Sequence, residues 1–350
     1  MKILIIKRDK IGDMLLMTPM LEHLRQCRPQ AEIHVLANDY NAWVVAGNPH
    51  IDHLWVYPRT RHAGRLRPLA AIREWLLTRQ LRRMRFDVVI AAGGVVSPRA
   101  IKRALRLGGQ RTIAYCPPES PDARGLSDPL PLPRTLHEVE ANLALLRPLG
   151  IEPPATPIWP RFAPPEHFIR AGRTWVEAQG LTQGFVVIGI NARREKRKPT
   201  MAQIAAWSQA ILERWGLPTV LVWQPGAWES KLYPGDDARI ADLIAAPPPH
   251  IHPFRSEDDV MPVLGMLWHA HLTIVPDGGL AHLASLSPGG VLALFAETDV
   301  SPHPDNWRPY APRGIYLEAK RAVAELSDQQ VLDAIAPLIA SYQRPGEALN

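Results

Sequence analysis

The chain is predicted to be an α/β protein with two doubly wound, Rossmann-like halves. Short apolar runs alternate with helical patterns in both halves, and a proline-rich stretch separates them. In the second half, one apolar run ends in a turn with two consecutive glycines, which a helix and another apolar run follow. Such alternation is typical of parallel sheets covered by helices. Ligands of these sheets bind at the carboxyl ends of the strands, so the turns that follow the strands are the candidate sites.

The first half contains five short apolar runs that are typical of buried strands. They are Ile3–Ile6, Ile33–Leu36, Leu54–Val56, Val88–Ala91 and Thr112–Tyr115. Helical patterns lie between them at Met14–Leu24, Leu69–Met84 and Pro98–Leu107. In the second of these helices, we expect an apolar face toward the core and an arginine-rich face toward solvent. The apolar face consists of Leu69, Ile72, Leu76, Leu81 and Met84.

The second half repeats the alternation. Its strands are predicted at Val186–Ile190, Val220–Val222, Leu272–Val275 and Val291–Phe295. Its helices are predicted at Ile204–Trp215, Asp236–Ala245, Val260–Trp268 and Leu280–Leu286, with a last amphipathic helix from about Asp328 to Tyr342.

Proline is dense between residues 117 and 165. We interpret residues 117–134 as a long functional loop and residues 151–165 as a linker between domains. The chain is therefore divided into an N-terminal domain, 1–163, a C-terminal domain, 164–326, and a terminal helix, 327–350, that can pack back on the N-terminal domain. Two Rossmann-like domains joined in this way predict a cleft between them.

The composition is that of an ordinary globular protein, with 46% hydrophobic and 21% charged residues. No apolar run approaches the roughly 20 residues that span a bilayer. The two cysteines, Cys27 and Cys116, form no CxxC pair, which argues against a disulfide framework or a cysteine zinc site. The first residues do not form a signal peptide, because charge follows the short apolar run at once. We expect a cytoplasmic protein.

The formal net charge of +6 is unevenly distributed. Between Arg59 and Arg111 the chain has fourteen basic residues and two acids, Glu74 and Asp87. Such a cluster favours an anionic partner, which can be a nucleic acid, an acidic lipid or a phosphorylated substrate. A solvated arginine-rich face without a ligand is the alternative.

The turn after Leu272–Val275 reads Pro-Asp-Gly-Gly and carries the first candidate site. Gly278 and Gly279 would let a ligand approach the backbone, and the N–H groups at a helix start favour a phosphate. Asp277 could accept hydrogen bonds from sugar or ribose hydroxyls, and His282 lies close by in sequence. A capped helix start without a ligand is the alternative.

The first strand leads into a similar turn. Gly12 permits a tight turn, and Asp13 lies at the predicted start of a helix. As an N-cap, Asp13 would bond to backbone N–H groups, and the helix dipole would favour its ionised form. An ionised carboxylate that faces a cleft can instead act as a general base on a sugar hydroxyl. Residue type alone leaves both interpretations open.

A third candidate follows the strand Val186–Ile190, where five cations occur within six residues. They are Arg193, Arg194, Lys196, Arg197 and Lys198. Cations aimed into a cleft would stabilise the growing charge of a diphosphate leaving group. A solvated charge run is the alternative, above all for Arg197 and Lys198.

Several common motifs are absent from the sequence. The absence of GxGxxG argues against a nicotinamide site, and the absence of GxxxxGK[ST] argues against a P-loop enzyme. There is no DxD pattern for a metal-bridged nucleotide sugar. The histidines form no HExxH or comparable ligand set, so no metal site is predicted.

Three segments together resemble glycosyltransferase family 9, the ADP-heptose:lipopolysaccharide heptosyltransferases. They are KILIIKRDKIGDMLLMTPML, NARREKRKP and PDGGLAHLAS with the later ALFAETD, and their order and spacing match from Lys2 to about Pro312. The resemblance implies the GT-B fold, with two Rossmann-like domains facing across a cleft. It also implies inverting, metal-independent and cofactor-free transfer of a heptose from a nucleotide sugar, ADP-heptose, to a lipopolysaccharide core or related glycan. The missing DxD agrees with this.

The resemblance also implies roles for individual residues. Asp13 corresponds to the general base, and Lys196 to a lysine that contacts the donor's phosphates, with Arg194 beside it. The donor-binding turn corresponds to Asp277, Gly278, Gly279, Leu280 and His282. Glu229, at a shifted spacing, is the candidate for the nucleotide ribose.

The sequence departs from the family pattern on the donor side. Gly278 stands in place of the usual threonine, and Lys198 replaces an aromatic residue. The usual Phe-Gly-Pro-Thr is Phe-Ala-Glu-Thr at residues 295–298. The sequence therefore indicates the identity of the donor less clearly than it indicates the fold or the class of reaction. A transferase with another nucleotide sugar, another enzyme with paired Rossmann domains such as an epimerase, and a non-catalytic family member remain as alternatives.

On the acceptor side, the residues predicted to bind are Gly12, Arg61, Arg65 and Arg67. The partner expected there is an anionic glycolipid or oligosaccharide. The arginine-rich helix Leu69–Met84 could rest on the anionic inner leaflet of the membrane. A nucleic-acid partner is not expected, because no recognition motif accompanies the charge.

Overall fold

The computed structural model divides the chain into two units, Met1–Phe162 and Ala163–Asn350. It describes residues 1–59, 61–62, 65–66, 68–227, 235–256, 259–300 and 303–343; for residues 61, 62, 65, 66 and 300 it describes the backbone alone. The expected boundary lay between residues 163 and 164. No helix of the described residues is long and apolar enough to cross a membrane.

The first unit contains a parallel sheet of six strands and a short hairpin. The strands are β1 (Lys2–Ile6), β2 (Glu32–Asn38), β3 (His53–Tyr57), β4 (Arg61–His62), β5 (Arg65–Leu66), β6 (Val88–Ala91), β7 (Arg111–Tyr115) and β8 (Asp128–Leu130). The helices are α1 (Ile11–Leu15), α2 (Thr18–Cys27), α3 (Pro68–Arg83), α4 (Pro98–Leu107) and α5 (Glu138–Ala144). The large sheet has the order β3-β2-β1-β6-β7-β8, and β4 pairs with β5 in an antiparallel hairpin.

The second unit repeats this architecture. Its strands are β9 (Val186–Gly189), β10 (Thr219–Trp223), β11 (Ile251–Arg255), β12 (Leu272–Pro276), β13 (Val291–Ala296) and β14 (Gly314–Ala319). Its helices are α6 (Glu166–Ala178), α7 (Met201–Trp215), α8 (Asp237–Ala245), α9 (Met261–Leu267), α10 (Gly279–Ala284), α11 (Pro304–Trp307) and α12 (Asp328–Ala340). The strand order is β11-β10-β9-β12-β13-β14, and all pairs are parallel.

Both sheets have the same strand order when their strands are counted along the chain. The first strand lies in the middle, the next two add on one side, and the later three add on the other. The order reverses between β1 and β6 in the first unit and between β9 and β12 in the second. Loops leave the sheet in opposite directions at such a point, which opens a crevice at the carboxyl ends of the strands. Each unit therefore offers one ligand-binding crevice.

The predicted helix Met14–Leu24 is two helices, α1 and α2, and the break has a local cause. Pro19 lies in the first turn of α2 and has no N–H to donate to the carbonyl of Leu15. The hydroxyl of Thr18 donates to that carbonyl instead, at 2.8 Å. The first turn after β1 is thereby separated from the longer helix that follows.

The sequence patterns missed the short hairpin strands β4 and β5, three strands of the large sheets, and the helices α6 and α11. The strands β8, β11 and β14 each lie at a sheet edge, where they pair on one side. Their residues are mostly half-buried, so they lack the continuous apolar run by which central strands are recognised. Of the two missed helices, α6 begins directly after the proline-rich linker, and α11 is a single turn of four residues.

The last helix belongs to the core of the second unit. The buried residues of α12 are Val331, Leu332, Ile335 and Leu338. They join the apolar cluster that also contains Trp207 of α7 and Ile274 of β12. We expected residues 327–350 to form a separate segment that packs on the first half. The apolar face of α12 instead packs in the core of the second unit.

Candidate functional site

Asp13 lies in the first turn of α1, next to the crevice of the first sheet. The N-cap is Lys10, and Asp13 is the third helical residue, so the expectation that Asp13 caps the helix is corrected. Its Oδ2 accepts a hydrogen bond from the backbone N–H of Lys10 at 3.2 Å. The carboxylate thus folds back over the turn, and 17% of its side chain stays exposed. Gly12 is buried as the second residue of the same helix.

A buried ion cluster lies beneath Asp13. Lys7, the first residue after β1, is 1% exposed and donates to Oε1 of Glu138 at 2.9 Å. Its Nζ is also 4.0 Å from Oδ1 of Asp13 and 3.9 Å from Oδ2 of Asp9. The second oxygen of Glu138 accepts from the N–H of Gly94 at 3.0 Å. One ammonium group is thus shared among three carboxylates.

The turn after β6 closes over this cluster because it contains two glycines. Gly93 has φ +134°, and a Cβ at this position would lie 3.0 Å from Nζ of Lys7. A Cβ at Gly94 would lie 2.8 Å from Oε2 of Glu138. Side chains at these two positions would collide with the ion pair. The switch point between β1 and β6 is therefore shaped around the Lys7–Glu138 pair.

The cluster makes Asp13 a stronger base than a free aspartate. Burial raises the pKa of the Asp13 carboxyl, the Lys7 ammonium lowers it in part, and Glu138 raises it again, so the pKa lies above its ordinary value. Burial lowers the pKa of Lys7, but Glu138, Asp13 and Asp9 outweigh this effect and hold it above its ordinary value. Lys7 is thus a permanent cation beside a carboxylate that can take up a proton.

Sequence patterns did not single out Lys7 or Glu138. The two residues are 131 positions apart, and no short motif joins them. The available signal was weak: a lysine directly continues a buried strand, at a position where an apolar residue is usual. Lysine is almost never fully buried without a partner, so a carboxylate had to lie somewhere near it.

The second crevice holds a group of acids and cations. Asp277 follows β12, and its backbone N–H donates to the carbonyl of Leu294 at 2.9 Å, which ties the turn to β13. Nη1 of Arg197 lies 3.9 Å from Oδ2 of Asp277, and its Nε lies 3.9 Å from Oε2 of Glu297. The side chains of these three residues are between 10% and 17% exposed.

The basic residues after β9 differ in exposure because a single 3-10 turn, Glu195–Arg197, runs through them. Such a turn has three residues, so successive side chains point in different directions. The side chain of Lys196 is 66% exposed, that of Arg197 11%, and that of Lys198 0%. The interpretation of Arg197 and Lys198 as solvated charges is therefore wrong.

Lys198 has a structural partner. Its Nζ donates to Oδ1 of Asp236, and Asn191 donates to the other oxygen of that carboxylate at 3.2 Å. The Asp236 side chain is 1% exposed. This pair fastens the loop after β9 to the start of α8, in place of the aromatic residue that the resemblance led us to expect at position 198.

Glu297 is the centre of the cation group. Its carboxylate oxygens lie 3.8 Å from Arg194, 4.0 Å from Lys196 and 3.9 Å from Arg197. The backbone of Glu297 lies in the left-handed region, with φ +55°. This conformation costs a non-glycine residue about 1–3 kcal/mol. Sequence comparison had marked this position only as a departure from the family pattern. The tertiary structure makes it the shared counter-ion of three cations.

The rest of the predicted donor turn surrounds the start of α10. Gly278 is the N-cap in an extended conformation, and a Cβ there would meet nothing within 4 Å. The position therefore has room for a side chain or for a ligand. Gly279 and Leu280 are the first helical residues, and His282 is buried two residues later.

Four predicted residues have no described side chain. Glu229 and Arg67 lie outside the described residues. Arg61 and Arg65 belong to the hairpin β4–β5, of which the backbone is described. Their assignment to an acceptor stays a prediction.

One group of potential metal ligands occurs in the described residues, at Glu32, His34 and His53. The indole N–H of Trp55 donates to Nδ1 of His34 at 2.9 Å. A neutral His34 therefore carries its proton on Nε2, which donates to Glu32 at 3.0 Å. With both ring nitrogens engaged in this way, His34 serves as a hydrogen-bonded core residue.

No protein-family model matches the chain. The chain is similar to lipopolysaccharide heptosyltransferase 3 of Escherichia coli, with 25% identity over 302 residues that cover 86% of this chain and 84% of the relative. Among solved structures, it resembles the glycosyl transferase family 9 protein of Veillonella parvula, with TM-score 0.79, 18% identity and 97% of each chain covered. It also resembles E. coli heptosyltransferase WaaC with ADP, with TM-score 0.71, 17% identity, and 97% and 100% covered. The predicted α/β fold of the GT-B class is confirmed.

Proposed function

We propose that the chain is a member of glycosyltransferase family 9 and that it transfers a heptose from ADP-heptose to a lipopolysaccharide core or related glycan. The proposed reaction inverts the anomeric carbon and needs no metal ion. The observation that carries the proposal is the partly exposed Asp13 with its raised pKa, held over a buried cation at the switch point of the first sheet.

In the proposed mechanism, Asp13 acts on the acceptor. Its carboxylate takes the proton of the attacking hydroxyl, whose oxygen forms a bond to the anomeric carbon of the donor. The bond from that carbon to the diphosphate breaks on the opposite face, and ADP leaves with the electron pair. Lys7 keeps Asp13 in place and stays charged throughout the step.

On the donor side, we assign the departing diphosphate to Lys196, Arg194 and Arg197. Charge develops on the leaving oxygen, and fixed cations stabilise it without reorganisation. Lys196 is exposed and has room to reorient, whereas Arg197 is fixed between Asp277 and Glu297. Asp277 and the open space beside Gly278 would receive hydroxyl groups of the donor.

The direct test is a transfer assay. The protein is incubated with ADP-heptose and a series of truncated core oligosaccharides, and products are sought by mass spectrometry as the addition of one heptose. Calorimetry with ADP, UDP and GDP runs in parallel. Tight binding of UDP without binding of ADP would contradict the adenine donor, and no product with any acceptor would contradict the activity.

The pH dependence should report on the buried cluster. Asp13 must be ionised to accept a proton, so turnover falls as the pH drops through the pKa of Asp13. The Glu138→Gln variant removes a negative charge that raises this pKa. The acid limb of the kcat profile is expected to move to lower pH in E138Q, and to stay in place in the exposed control Glu152→Gln. An unmoved limb in E138Q would contradict the effect of the Glu138 charge on the pKa of Asp13.

Two substitutions in the cation group should change ADP affinity in opposite directions. Arg197→Met removes a charged hydrogen-bond donor and is expected to weaken ADP binding by about 10- to 100-fold. Glu297→Gln keeps the shape but removes a negative charge beside the cations, so it should tighten ADP binding. Calorimetry measures both, with the exposed Arg170→Met as a control that leaves the affinity unchanged. Weaker binding in E297Q would contradict the assignment of the diphosphate to this group.

A further inference from the structure

The outward face of α3 is apolar over its first two turns. Leu69 is 72% exposed, Ile72 55%, Trp75 59% and Leu76 52%. We expected Leu69, Ile72 and Leu76 to face the core, and this expectation is wrong. The helix touches the core through a narrow strip instead, made by the buried Ala70 and Leu81 and the partly buried Leu77. Spacings of three and four residues place Leu69, Ile72 and Leu76 on one exposed face.

The last turns of the same helix are basic. Arg79, Arg82 and Arg83, together with Arg85 and Arg106, line a surface groove of about 860 Å³. Trp75 borders this groove, and the Arg79 guanidinium lies 5.8 Å from the centroid of its ring. The acid that lines the groove, Glu74, is bonded to Arg103. The groove therefore carries a strong positive charge directly beside the apolar face.

We propose that α3 binds the surface of an anionic phospholipid bilayer. Leu69, Ile72, Trp75 and Leu76 would enter the interface between headgroups and acyl chains, and the arginines of the groove would bind headgroup phosphates. A tryptophan with an apolar face on one side and cations on the other is suited to this interface. The inference does not depend on the reaction proposed above.

Charge complementarity favours an anionic bilayer over a second copy of the chain as the partner of α3. A second copy of the chain, packed about a twofold axis on α3, would present the same face, whose acid Glu74 is already bonded to Arg103, so the arginines would gain no counter-charge. A solvated face would be expected to lack four large exposed apolar side chains in one patch. An anionic bilayer supplies an apolar layer for the side chains at the start of α3 and phosphates for the arginines at its end.

Vesicle sedimentation tests the proposal. We expect the full-length protein to bind vesicles of phosphatidylglycerol and phosphatidylcholine and to leave pure phosphatidylcholine vesicles unbound. The triple variant Arg79→Gln, Arg82→Gln, Arg83→Gln should lose about 100-fold in affinity, or about fivefold for each cation. A matched variant at exposed arginines of the second unit, Arg170→Gln, Arg173→Gln, Arg214→Gln, changes the net charge equally and should bind as the wild type does.

A second pair of variants tests the apolar face. Trp75→Ala and Leu76→Ala should each weaken vesicle binding by about tenfold, because each removes a side chain that enters the interface. Brominated lipids should quench part of the tryptophan fluorescence in the wild type, and Trp75→Phe should lose that part. Thermal melts followed by circular dichroism check that each variant is folded.

Three results would overturn the proposal. Equal binding to anionic and neutral vesicles would exclude recognition of headgroup charge. Equal loss in the two triple variants would assign the effect to net charge rather than to α3. A dimer seen by sedimentation velocity without lipid, and abolished by Trp75→Ala, would show that the face belongs to a second copy.

Discussion

Replacing Asp13 by asparagine is expected to lower the turnover number of heptosyl transfer by about 10²- to 10⁴-fold, the usual contribution of a positioned general base. Asparagine keeps the size of the side chain and its acceptor oxygen toward Lys10, but it cannot accept a proton at neutral pH. ADP binding should be unchanged, since the residues proposed to bind the donor lie in the other unit. Single-turnover transfer and calorimetry on the same preparation measure both quantities.

The stability of D13N serves as its control. The pKa of Asp13 is higher in the folded chain than in the unfolded one, so the folded state favours the protonated form. The ionised carboxylate therefore costs stability at neutral pH, and this cost develops as the pH rises from the unfolded pKa to the higher folded pKa. D13N should be at least as stable as the wild type at pH 7 in urea denaturation. Turnover close to that of the wild type in a folded D13N would end the assignment of Asp13 as the base.

Replacing Lys7 by methionine is expected to lower the free energy of unfolding by about 3–5 kcal/mol. The substitution is close in volume, but it leaves Glu138 as a buried carboxylate without its cation. Asp13 and Asp9 lose the same neighbouring charge. Urea denaturation at pH 7 measures the loss. Because the pKa of Asp13 should also rise, any residual activity is expected to have its acid limb at higher pH.

The controls for Lys7 separate burial from charge. Lys2→Met removes a partly exposed lysine whose ion pair with Glu32 spans 3.7 Å, and it should cost less than about 1 kcal/mol. The double variant Lys7→Met, Glu138→Met should recover part of the lost stability, because the uncompensated carboxylate is then gone. A cost for Lys7→Met no larger than that for Lys2→Met would contradict the buried pair.

The location of both candidate sites could be predicted from short stretches of sequence. Each follows a central strand, and the apolar runs Ile3–Ile6 and Leu272–Val275 are strong local signals because both faces of a central strand are buried. The turns that end these runs contain Asp13 and Asp277. Edge strands such as β14 consist mostly of half-buried residues and carry no comparable signal.

The roles of neighbouring side chains could not be predicted in the same way. Lys196, Arg197 and Lys198 are three adjacent cations with very different exposures, which depend on the direction that each takes from one 3-10 turn. The apolar pattern of α3 resembled a core face, since periodicity reports which residues share a side and not what covers that side.

The sequence by itself determined the α/β class, the alternation of strands and helices and the turns where ligands can bind. These properties depend on residues that are close together in the chain. Only the tertiary structure decided that Lys7 meets Glu138 across 131 positions, and that Glu297 lies among three cations. It also decided that α3 leaves Trp75 exposed. Burial and ion pairing arise from contacts between distant segments, and such contacts set the basicity of Asp13 and the exposure of the apolar face of α3.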